Sequence, residues 1–236
     1  MIRERKSEKV PSSLLTTSQY DGEDVKAQLL EDQHEKCYIC ERKLGTDFEI
    51  EHLKSQENYS KLQQDWSNLF LACGYCNRKK SSSFDDNLCP LDTNIEDEIE
   101  QRIDFSRNKA SFTTAINDAP HQNTVRMLHV FYNGKQKMRV IKEQRFFDEA
   151  KQKMNRFLEK VNTFLMEPTS ANRALVAAEL SIEQEMLGFT VAIKLSNGDE
   201  FCVEFHPGDT IYYINDIQIG CTGPSYMIRN ISLAQF

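Results

Sequence analysis

Apolar residues recur at steps of three and four over the longest periodic segment of the chain, residues 138–166. This spacing places them on one face of an amphipathic helix. A second helix is expected from Ser170, which can cap its N-terminus, to about Leu187, so that the two helices form an antiparallel hairpin. The apolar face is either core or a surface for a partner. It consists of Phe147, Ala150, Met154, Phe157, Val161 and Phe164.

A period of two, which is typical of strands, governs two other parts of the chain. Residues 48–53 alternate, and a short apolar run follows at 69–72. From Phe189 the alternation continues to about residue 219, with a hairpin turn at Ser196–Asp199. These elements predict an α+β fold with a helical region and a small C-terminal antiparallel β element. Further elements are expected as helices over 24–36, 95–103 and 121–132 and as a strand over 110–116.

Composition indicates a soluble protein. The 236 residues are rich in charge and contain no apolar run of the roughly 20 residues that a membrane span needs. The charged start, MIRERKSEKV, lacks the apolar segment of a secretory signal, so we expect a cytoplasmic protein without a membrane partner. Residues 1–20 are expected to form an irregular, solvated arm whose basic side chains are available to phosphate.

Cysteine spacing points to a metal. Two Cys-x-x-Cys pairs, Cys37/Cys40 and Cys73/Cys76, enclose 32 residues. Each pair can direct two thiolates at one ion, and two pairs complete a tetrahedral zinc site. Four protein thiolates leave no position for water, so this Zn²⁺ is predicted to be structural.

The enclosed segment carries candidate chemistry. Glu51 and His52 end the strand predicted at 48–53. A carboxylate can hold Mg²⁺, and a neutral imidazole can take a proton from water. Asn77, which follows the last cysteine, offers an amide oxygen to the same cation. The net charge of −7 argues against broad nucleic-acid coating, but residues 37–83 carry seven Lys/Arg against six Asp/Glu. Predicted phosphate contacts in this segment are Lys54, Arg78, Lys79 and Lys80.

These residues resemble a known family. The order Cys-x-x-Cys, strand ending in Glu-His, Trp-x-Asn-Leu and Cys-x-x-Cys-Asn-x-x-Lys is similar to HNH endonucleases. That family has the ββα-metal, or His-Me finger, fold around one divalent ion. The segments IEHLK and DWSNLFLACGYCNRKKSS more narrowly resemble the sequences of the PtuB nucleases of Septu and retron-linked anti-phage defence systems. Those proteins work with a PtuA ATPase.

The resemblance implies a role for each residue of the pattern. His52 would be the general base, and Asn68 would orient the loop and the base. Glu51 and Asn77 would hold the catalytic ion, which is expected to be Mg²⁺ or Mn²⁺. Asn77 departs from the HNH motif, since many members of the family have a histidine at this position. The implied reaction is metal-dependent hydrolysis of phosphodiester bonds in DNA, in a complex with a PtuA-like ATPase.

The expected division has four segments: an N-terminal arm and helix (1–36), the HNH core (37–93), a helical region (94–188) and the β element (189–236). Two other functions fit the same residues. One is a zinc protein that binds DNA or acts as an adaptor without catalysis. The other is a stand-alone HNH nuclease of the restriction type. Residues 146–165 and the acidic C-terminal region are the expected docking surface for a partner.

Overall fold

Two compact units make up the chain in the computed structural model, which describes residues 1–17, 19–167 and 169–190 and the strand residues 192–194, 200–202, 211–214 and 217–221. The first unit takes residues 1–98 and 114–131. The second takes residues 99–113 and the described residues from 132 onward. The finer division into four segments stays a prediction.

The first unit is built around a hairpin and one short helix. β1 (Phe48–His52) pairs antiparallel with β2 (Leu69–Cys73), and α3 (Gly74–Lys79) follows β2 directly. In the register, Glu51 lies opposite Phe70 and His52 opposite Leu69. All five residues of β2 are buried. The other helices of this unit are α1 (Ser12–Thr16), α2 (Glu23–Asp32), α4 (Ile95–Glu98) and α5 (Ala119–Asn133), the last of which ends in the second unit.

On the edge of β2 that does not pair with β1, a side chain makes the backbone hydrogen bonds. Gln33, just after α2, donates its side-chain amide to the carbonyl of Leu71 at 3.0 Å and accepts from the Leu71 amide at 2.7 Å. Tyr38 adds a backbone bond to the same carbonyl at 3.1 Å. Because buried backbone groups need partners, these contacts allow a two-stranded sheet to remain in the interior.

The N-terminal segment is packed and not a solvated arm. Met1 and Ile2 are buried among the core residues of the first unit. Lys6 donates to the carbonyls of Trp66 and Leu69, with its ammonium 4.4 Å from the centroid of the Trp66 ring. Burial lowers the pKa of Lys6 to about 7. The side chains of Arg5 and Lys9 are exposed, as expected for a basic arm, but Lys6 is held as described, and the exposed Arg3 donates its guanidinium to the Asn94 side chain at 2.7 Å.

The second unit begins with a hairpin where a helix was expected. The sequence predicts a helix over 95–103, but α4 ends at Glu98 and β3 (Glu100–Asp104) pairs with β4 (Lys109–Thr113). Isoleucines at 95, 99 and 103 suit a helix, but pairing with β4, whose Ala110 and Phe112 are buried, gives a strand instead.

Two helices form the predicted hairpin in the second unit. α6 (Ile141–Met166) is followed by α7 (Ser170–Glu179), and Glu179 accepts from Lys153 at 2.6 Å and also from Lys160. The cap of α7 is Thr169, one residue before the expected Ser170, and it accepts from the Asn172 amide at 3.2 Å. The second helix is shorter than expected, because turns separate it from α8 (Leu187–Thr190).

The apolar face of α6 is core. The side chains that form this face are at most 2% exposed, namely Phe146, Phe147, Ala150, Met154, Phe157, Val161 and Phe164. Phe189 of α8, which the sequence assigns to a strand, packs on Phe112 and Tyr132 with ring centroids 5.7 and 5.0 Å away. This face is therefore not available as the docking surface that the sequence also allows.

The predicted C-terminal β element is confirmed as two small antiparallel pairs. β5 (Ala192–Lys194) pairs with β6 (Glu200–Cys202), and β7 (Ile211–Ile214) pairs with β8 (Ile217–Cys221). The turn predicted at 196–199 lies outside the described residues. In the part of the chain that is described, no helix combines the length and the apolarity that crossing a bilayer requires.

Candidate functional site

Four thiols meet at the base of the hairpin. The sulfur atoms of Cys37, Cys40, Cys73 and Cys76 lie within 4.8 Å of one another, and all four residues are buried. Cys73 ends β2 and Cys76 lies in the first turn of α3, so this pair joins strand to helix. The other pair lies in the turn after α2, where the Glu41 amide donates to the Cys37 carbonyl at 2.7 Å.

The cluster fits a structural zinc ion. Four thiol donors at this spacing match a tetrahedral sulfur site. Burial raises the pKa of the Cys40 and Cys76 thiols well above their usual range, so a bound cation is what would keep them as thiolates. Among the described residues, no second group of three or more Cys, His, Asp or Glu side chains is close enough to hold an ion.

His52 lies at the end of β1 with a defined tautomer. Its Nε2 is 3.0 Å from the carbonyl oxygen of Gln63, which can only accept, so Nε2 carries the proton. Nδ1 therefore keeps its lone pair and accepts from the side-chain amide of Gln56 at 3.1 Å. The Tyr20 ring packs on the imidazole in a T-shaped arrangement, with centroids 4.9 Å apart. Because Gln56 is exposed, a water molecule can replace it at Nδ1 for the loss of about 1 kcal/mol of hydrogen bonding.

The imidazole is held neutral. Burial lowers the pKa of His52 below its usual range, and the positive charge of Lys80 lowers it further, against the opposing effect of the bond to Gln63. At neutral pH the ring is therefore a proton acceptor and not a cation. A neutral imidazole with one nitrogen fixed and the other directed at a surface side chain is suited to general-base chemistry.

Asn68 fixes the backbone around this histidine. Its Oδ1 accepts from the Lys54 amide at 2.7 Å, and its Nδ2 donates to the carbonyls of Lys54 at 3.0 Å and Leu62 at 3.1 Å. The side chain thus joins the segment just after His52 to the segment just before Gln63. This geometry supports the predicted role of Asn68 in orienting the loop and the base.

Glu51 points away from His52, into the interior, as adjacent strand residues do. Its Oε2 accepts from the Tyr38 hydroxyl at 2.5 Å, and its Oε1 is 2.9 Å from Nζ of Lys80. Burial raises the pKa of Glu51, although the ammonium and the hydroxyl oppose that shift. Tyr38 lies between the first two cysteines and stacks on Phe70 at 4.7 Å, so the carboxylate is tied to the thiol cluster.

The predicted catalytic-metal ligands do not fit a divalent ion in this arrangement. Both oxygens of Glu51 already accept hydrogen bonds, and the ammonium of Lys80 takes the place beside Oε1. Two unit charges at 4 Å repel by about 4 kcal/mol near a protein surface, and a doubly charged ion about twice as much. Asn77 is turned elsewhere, since its side-chain amide donates to Glu49. The structure does not bring Glu51 and Asn77 together on one open position.

The four predicted phosphate contacts have different environments. Arg78 is exposed. Lys54 is half-buried and donates to the carbonyl of Asp85 at 2.5 Å, and Lys79 is half-buried and donates to the carbonyl of Val130 at 3.2 Å. Lys80 is placed differently from the prediction: its side chain is 2% exposed, and as it lies it reaches no phosphate.

Sequence reasoning missed three participants. Gln63 acts through its backbone, so its side-chain identity gives no signal. Gln56 lies four residues after His52 in an irregular loop, where sequence spacing predicts no contact. Tyr38 lies inside the first Cys-x-x-Cys, and no sequence pattern indicates that its hydroxyl donates to Glu51, 13 residues further along the chain.

Comparison with known proteins identifies one segment. Residues 37–83 match the family model described as HNH endonuclease. The match takes in the four cysteines together with His52, Asn68 and Asn77, and covers 47 of the 236 residues. No curated protein and no solved structure matches the chain. The matched segment supports a nuclease.

Proposed function

We propose that the chain is an HNH endonuclease that hydrolyses phosphodiester bonds in DNA. One observation carries the proposal. Within the segment that matches the family, His52 is a neutral imidazole whose Nε2–H is held by the Gln63 carbonyl and whose Nδ1 lone pair is directed at an exposed side chain. DNA binding alone does not require a neutral histidine with one ring nitrogen fixed and the other available to accept a proton.

The chemistry follows from the two ring nitrogens. A water molecule in place of the Gln56 amide gives one proton to Nδ1, and its oxygen attacks the phosphorus while the bond to the leaving sugar oxygen breaks. The leaving oxygen takes a proton from solvent. As the ring becomes an imidazolium, its Nε2–H bond to the Gln63 carbonyl becomes charge-assisted and stronger, which stabilises the transition state.

The dependence on Mg²⁺ or Mn²⁺ is part of the same proposal. The reaction described above does not pass through such an ion, because Lys80 occupies the place beside Oε1 of Glu51. The structural ion is proposed to be Zn²⁺, which the four buried thiols suit.

A cleavage assay tests the proposal. Zinc-loaded protein is incubated with supercoiled plasmid and, separately, with RNA, in Mg²⁺, in Mn²⁺ and without added divalent ion. We expect nicking of DNA that His52→Ala lowers by about 10² or more. The matched control is His129→Ala, because His129 is an exposed histidine of the same unit and lies on α5. Cleavage by His52→Ala at the unaltered rate would remove the general-base assignment.

One observation favours a second function. Lys80 occupies the place beside Glu51 where a catalytic metal ion was predicted. This arrangement suits a DNA-binding or adaptor protein that is stabilised by zinc and does not cleave. That function predicts DNA retention in a mobility-shift experiment and no nicking in any of the metal conditions above.

We also propose that the nuclease works as a subunit of an anti-phage defence complex with a PtuA-like ATPase. The support is the narrow sequence resemblance around residues 50–83, together with the absence of a helix-turn-helix or similar reading motif from the sequence. Co-purification with a PtuA-like ATPase that is co-expressed with the chain tests this, with deletion of residues 189–236 expected to weaken the complex. Full activity of the chain alone would favour a stand-alone nuclease of the restriction type.

A further inference from the structure

The connection between α5 and α6, together with the first turns of α6, is strongly basic. Residues 135–145, which we call the basic segment, carry five basic side chains and one acidic side chain. The acidic one, Glu143, is buried and accepts from the Val140 amide at 3.0 Å, so its charge lies beneath the surface. The chain as a whole has a net charge of −7, so this excess of positive charge is a local feature. The five basic residues are Lys135, Lys137, Arg139, Lys142 and Arg145.

One of these cations, Arg139, turns inward and fixes the basic segment. Its Nε donates to the carbonyl of Tyr132 at 2.7 Å. Its two terminal nitrogens donate to the carbonyl of Asn108 at 3.0 Å and to Oδ1 of Asn133 at 2.7 Å. The guanidinium also lies 3.7 Å from the centroid of the Phe147 ring. Because these contacts hold the backbone of the connection to the core, the other side chains of the segment project from a defined surface.

The other four cations face solvent. Each is exposed, and among the described residues no carboxylate forms an ion pair with any of them. Elsewhere in the second unit, in contrast, Arg107 pairs with Asp104 at 3.4 Å and Lys160 pairs with Glu179. Residues 142 and 145 are three apart on α6 and therefore neighbours on one face of the helix. The four exposed cations together produce a positive surface that the described carboxylates do not balance.

Apolar side chains lie among these cations. Met138 is 79% exposed, Ile141 75% and Val140 50%. Ile141 shares a face of α6 with Arg145, since four residues separate them. Apolar side chains that are exposed next to one another mark interaction surfaces. The ligand of the basic segment should therefore combine negative charge with apolar contact area.

Duplex DNA has both properties. Lysine and arginine side chains contact its phosphates, and methionine and isoleucine are among the apolar side chains that proteins insert into the minor groove. Protein interfaces, in contrast, are depleted in lysine. A lipid surface is disfavoured because it requires a continuous apolar helix face, and that face of α6 is buried in the core.

We propose that the basic segment is a second DNA contact of the chain, in which the four exposed cations bind backbone phosphates and the apolar side chains between them pack against the groove. The choice of DNA as the ligand rests on the proposed nuclease function. The segment lies outside the family-matched residues 37–83. It therefore gives the chain an affinity for DNA that is separate from the residues assigned to the chemistry.

Equilibrium binding to uncut DNA tests the proposal. Zinc-loaded His52→Ala chains, which should not cleave, are titrated against a fluorescein-labelled duplex, and anisotropy is measured at several salt concentrations. Three lysines are replaced together in the test variant. We expect it to bind about tenfold more weakly or worse at physiological salt, with the slope of log affinity against log salt reduced by about two to three. Unaltered affinity would overturn the proposal. The three changes are Lys135→Gln, Lys137→Gln and Lys142→Gln.

Two arginines of α6 provide a matched pair. Arg145 and Arg156 are both exposed, and Arg156 lies about three turns further along the same helix. Arg145→Gln should reduce the salt slope by about one, whereas Arg156→Gln should leave it unaltered. Equal effects of the two substitutions would mean that only net charge matters, and would overturn the proposal.

The apolar contact has its own variant. Met138→Ser combined with Ile141→Ser removes no charge, so it should weaken DNA binding without changing the salt slope. Unaltered affinity of this chain would overturn the groove contact.

Two other ligands are outcomes of the same experiments. The lysine variant is also compared with the His52→Ala parent for binding to phosphatidylglycerol vesicles and for co-purification with a co-expressed PtuA-like ATPase. A variant that loses either of these while its DNA affinity is unaltered would overturn the proposal in favour of a membrane or a protein partner.

Binding and cleavage separate this inference from the nuclease. With His52 intact, the lysine variant is expected to raise the KM for nicking. A chain that binds DNA through the basic segment but never nicks it retains this inference and loses the nuclease. A chain whose nicking keeps an unaltered KM after the three lysine changes retains the nuclease and loses this inference.

Discussion

Asn68 and His52 are joined through two consecutive carbonyls. The Asn68 side chain donates to the carbonyl of Leu62 at 3.1 Å, and His52 Nε2 donates to the carbonyl of the next residue, Gln63, at 3.0 Å. Asn68 also bonds both polar backbone atoms of Lys54, two residues after His52. One buried amide therefore sets both the backbone that carries the imidazole and the acceptor that fixes its tautomer.

This relationship predicts different effects for two substitutions at residue 68. Asn68→Ala leaves the amide and the carbonyl of Lys54 without partners, at about 1–3 kcal/mol for each that stays buried, and leaves the Leu62 carbonyl with the Asp65 amide alone, at 3.2 Å. Asn68→Asp keeps the acceptor for the Lys54 amide but turns an oxygen toward two carbonyls. We expect Asn68→Asp to lose as much stability as Asn68→Ala or more, and both to lower kcat with little change in KM. Urea unfolding and cleavage kinetics measure these effects, and an Asn68→Asp chain with unaltered kcat would contradict the role.

The pH dependence of cleavage reports the state of His52. The base acts when neutral, so the rate should rise with pH through the pKa of His52 and then level off. Burial and the charge of Lys80 lower that pKa from its usual value near 6.5. The acid limb of the kcat/KM profile is therefore expected to have its midpoint below pH 6.5. A midpoint at or above 6.5 would mean that the imidazole is not held neutral as described.

Zinc removal is expected to unfold the site without acting on the chemistry directly. The four thiols join the turn after α2 to β2 and α3. Cys37→Ser should lose the ion and destabilise the hairpin, since binding free energy at a structural site is folding free energy. The check is zinc content together with the melting temperature, and His52→Ala, which should keep both, is the matched variant. A stable, zinc-free, active Cys37→Ser chain would contradict a structural role for the ion.

Some of the site could be predicted from sequence and some could not, for physical reasons. The thiol cluster and the hairpin follow from cysteine spacing and two-residue alternation, which are local signals. The sequence predicts a phosphate contact for Lys80 because it belongs to the basic run at residues 78–80, but its side chain turns inward to balance the buried Glu51. The packed arm was missed for a similar reason, because the carbonyls of Trp66 and Leu69 that hold Lys6 are about 60 residues away in the chain. Pairing between distant groups leaves no periodic pattern.

A buried carboxylate in the packed arm predicts how stability changes with pH. Glu4 is 5% exposed, and its Oε1 has no hydrogen-bond partner. Burial raises its pKa from 4.5 to about 8, and the nearby carboxylates of Glu41 and Glu96 add to the shift while Lys36 opposes it. The folded chain therefore keeps a proton on Glu4 that the unfolded chain releases above pH 4.5. Stability should fall as pH rises from 4.5 to about 8, by on the order of 1 kcal/mol per pH unit from this group.

Replacing the carboxyl with an amide isolates this effect from the other acidic groups. Glu4→Gln keeps the size of the side chain and cannot ionise, so its advantage over the unaltered chain should grow steadily between pH 6 and pH 8. Glu8→Gln, on the same segment but exposed, is the matched control and should show no such trend. Urea unfolding of zinc-loaded chains at several pH values measures the difference. A Glu4→Gln chain whose stability falls with pH as steeply as that of the unaltered chain would show that Glu4 is already ionised in the folded protein.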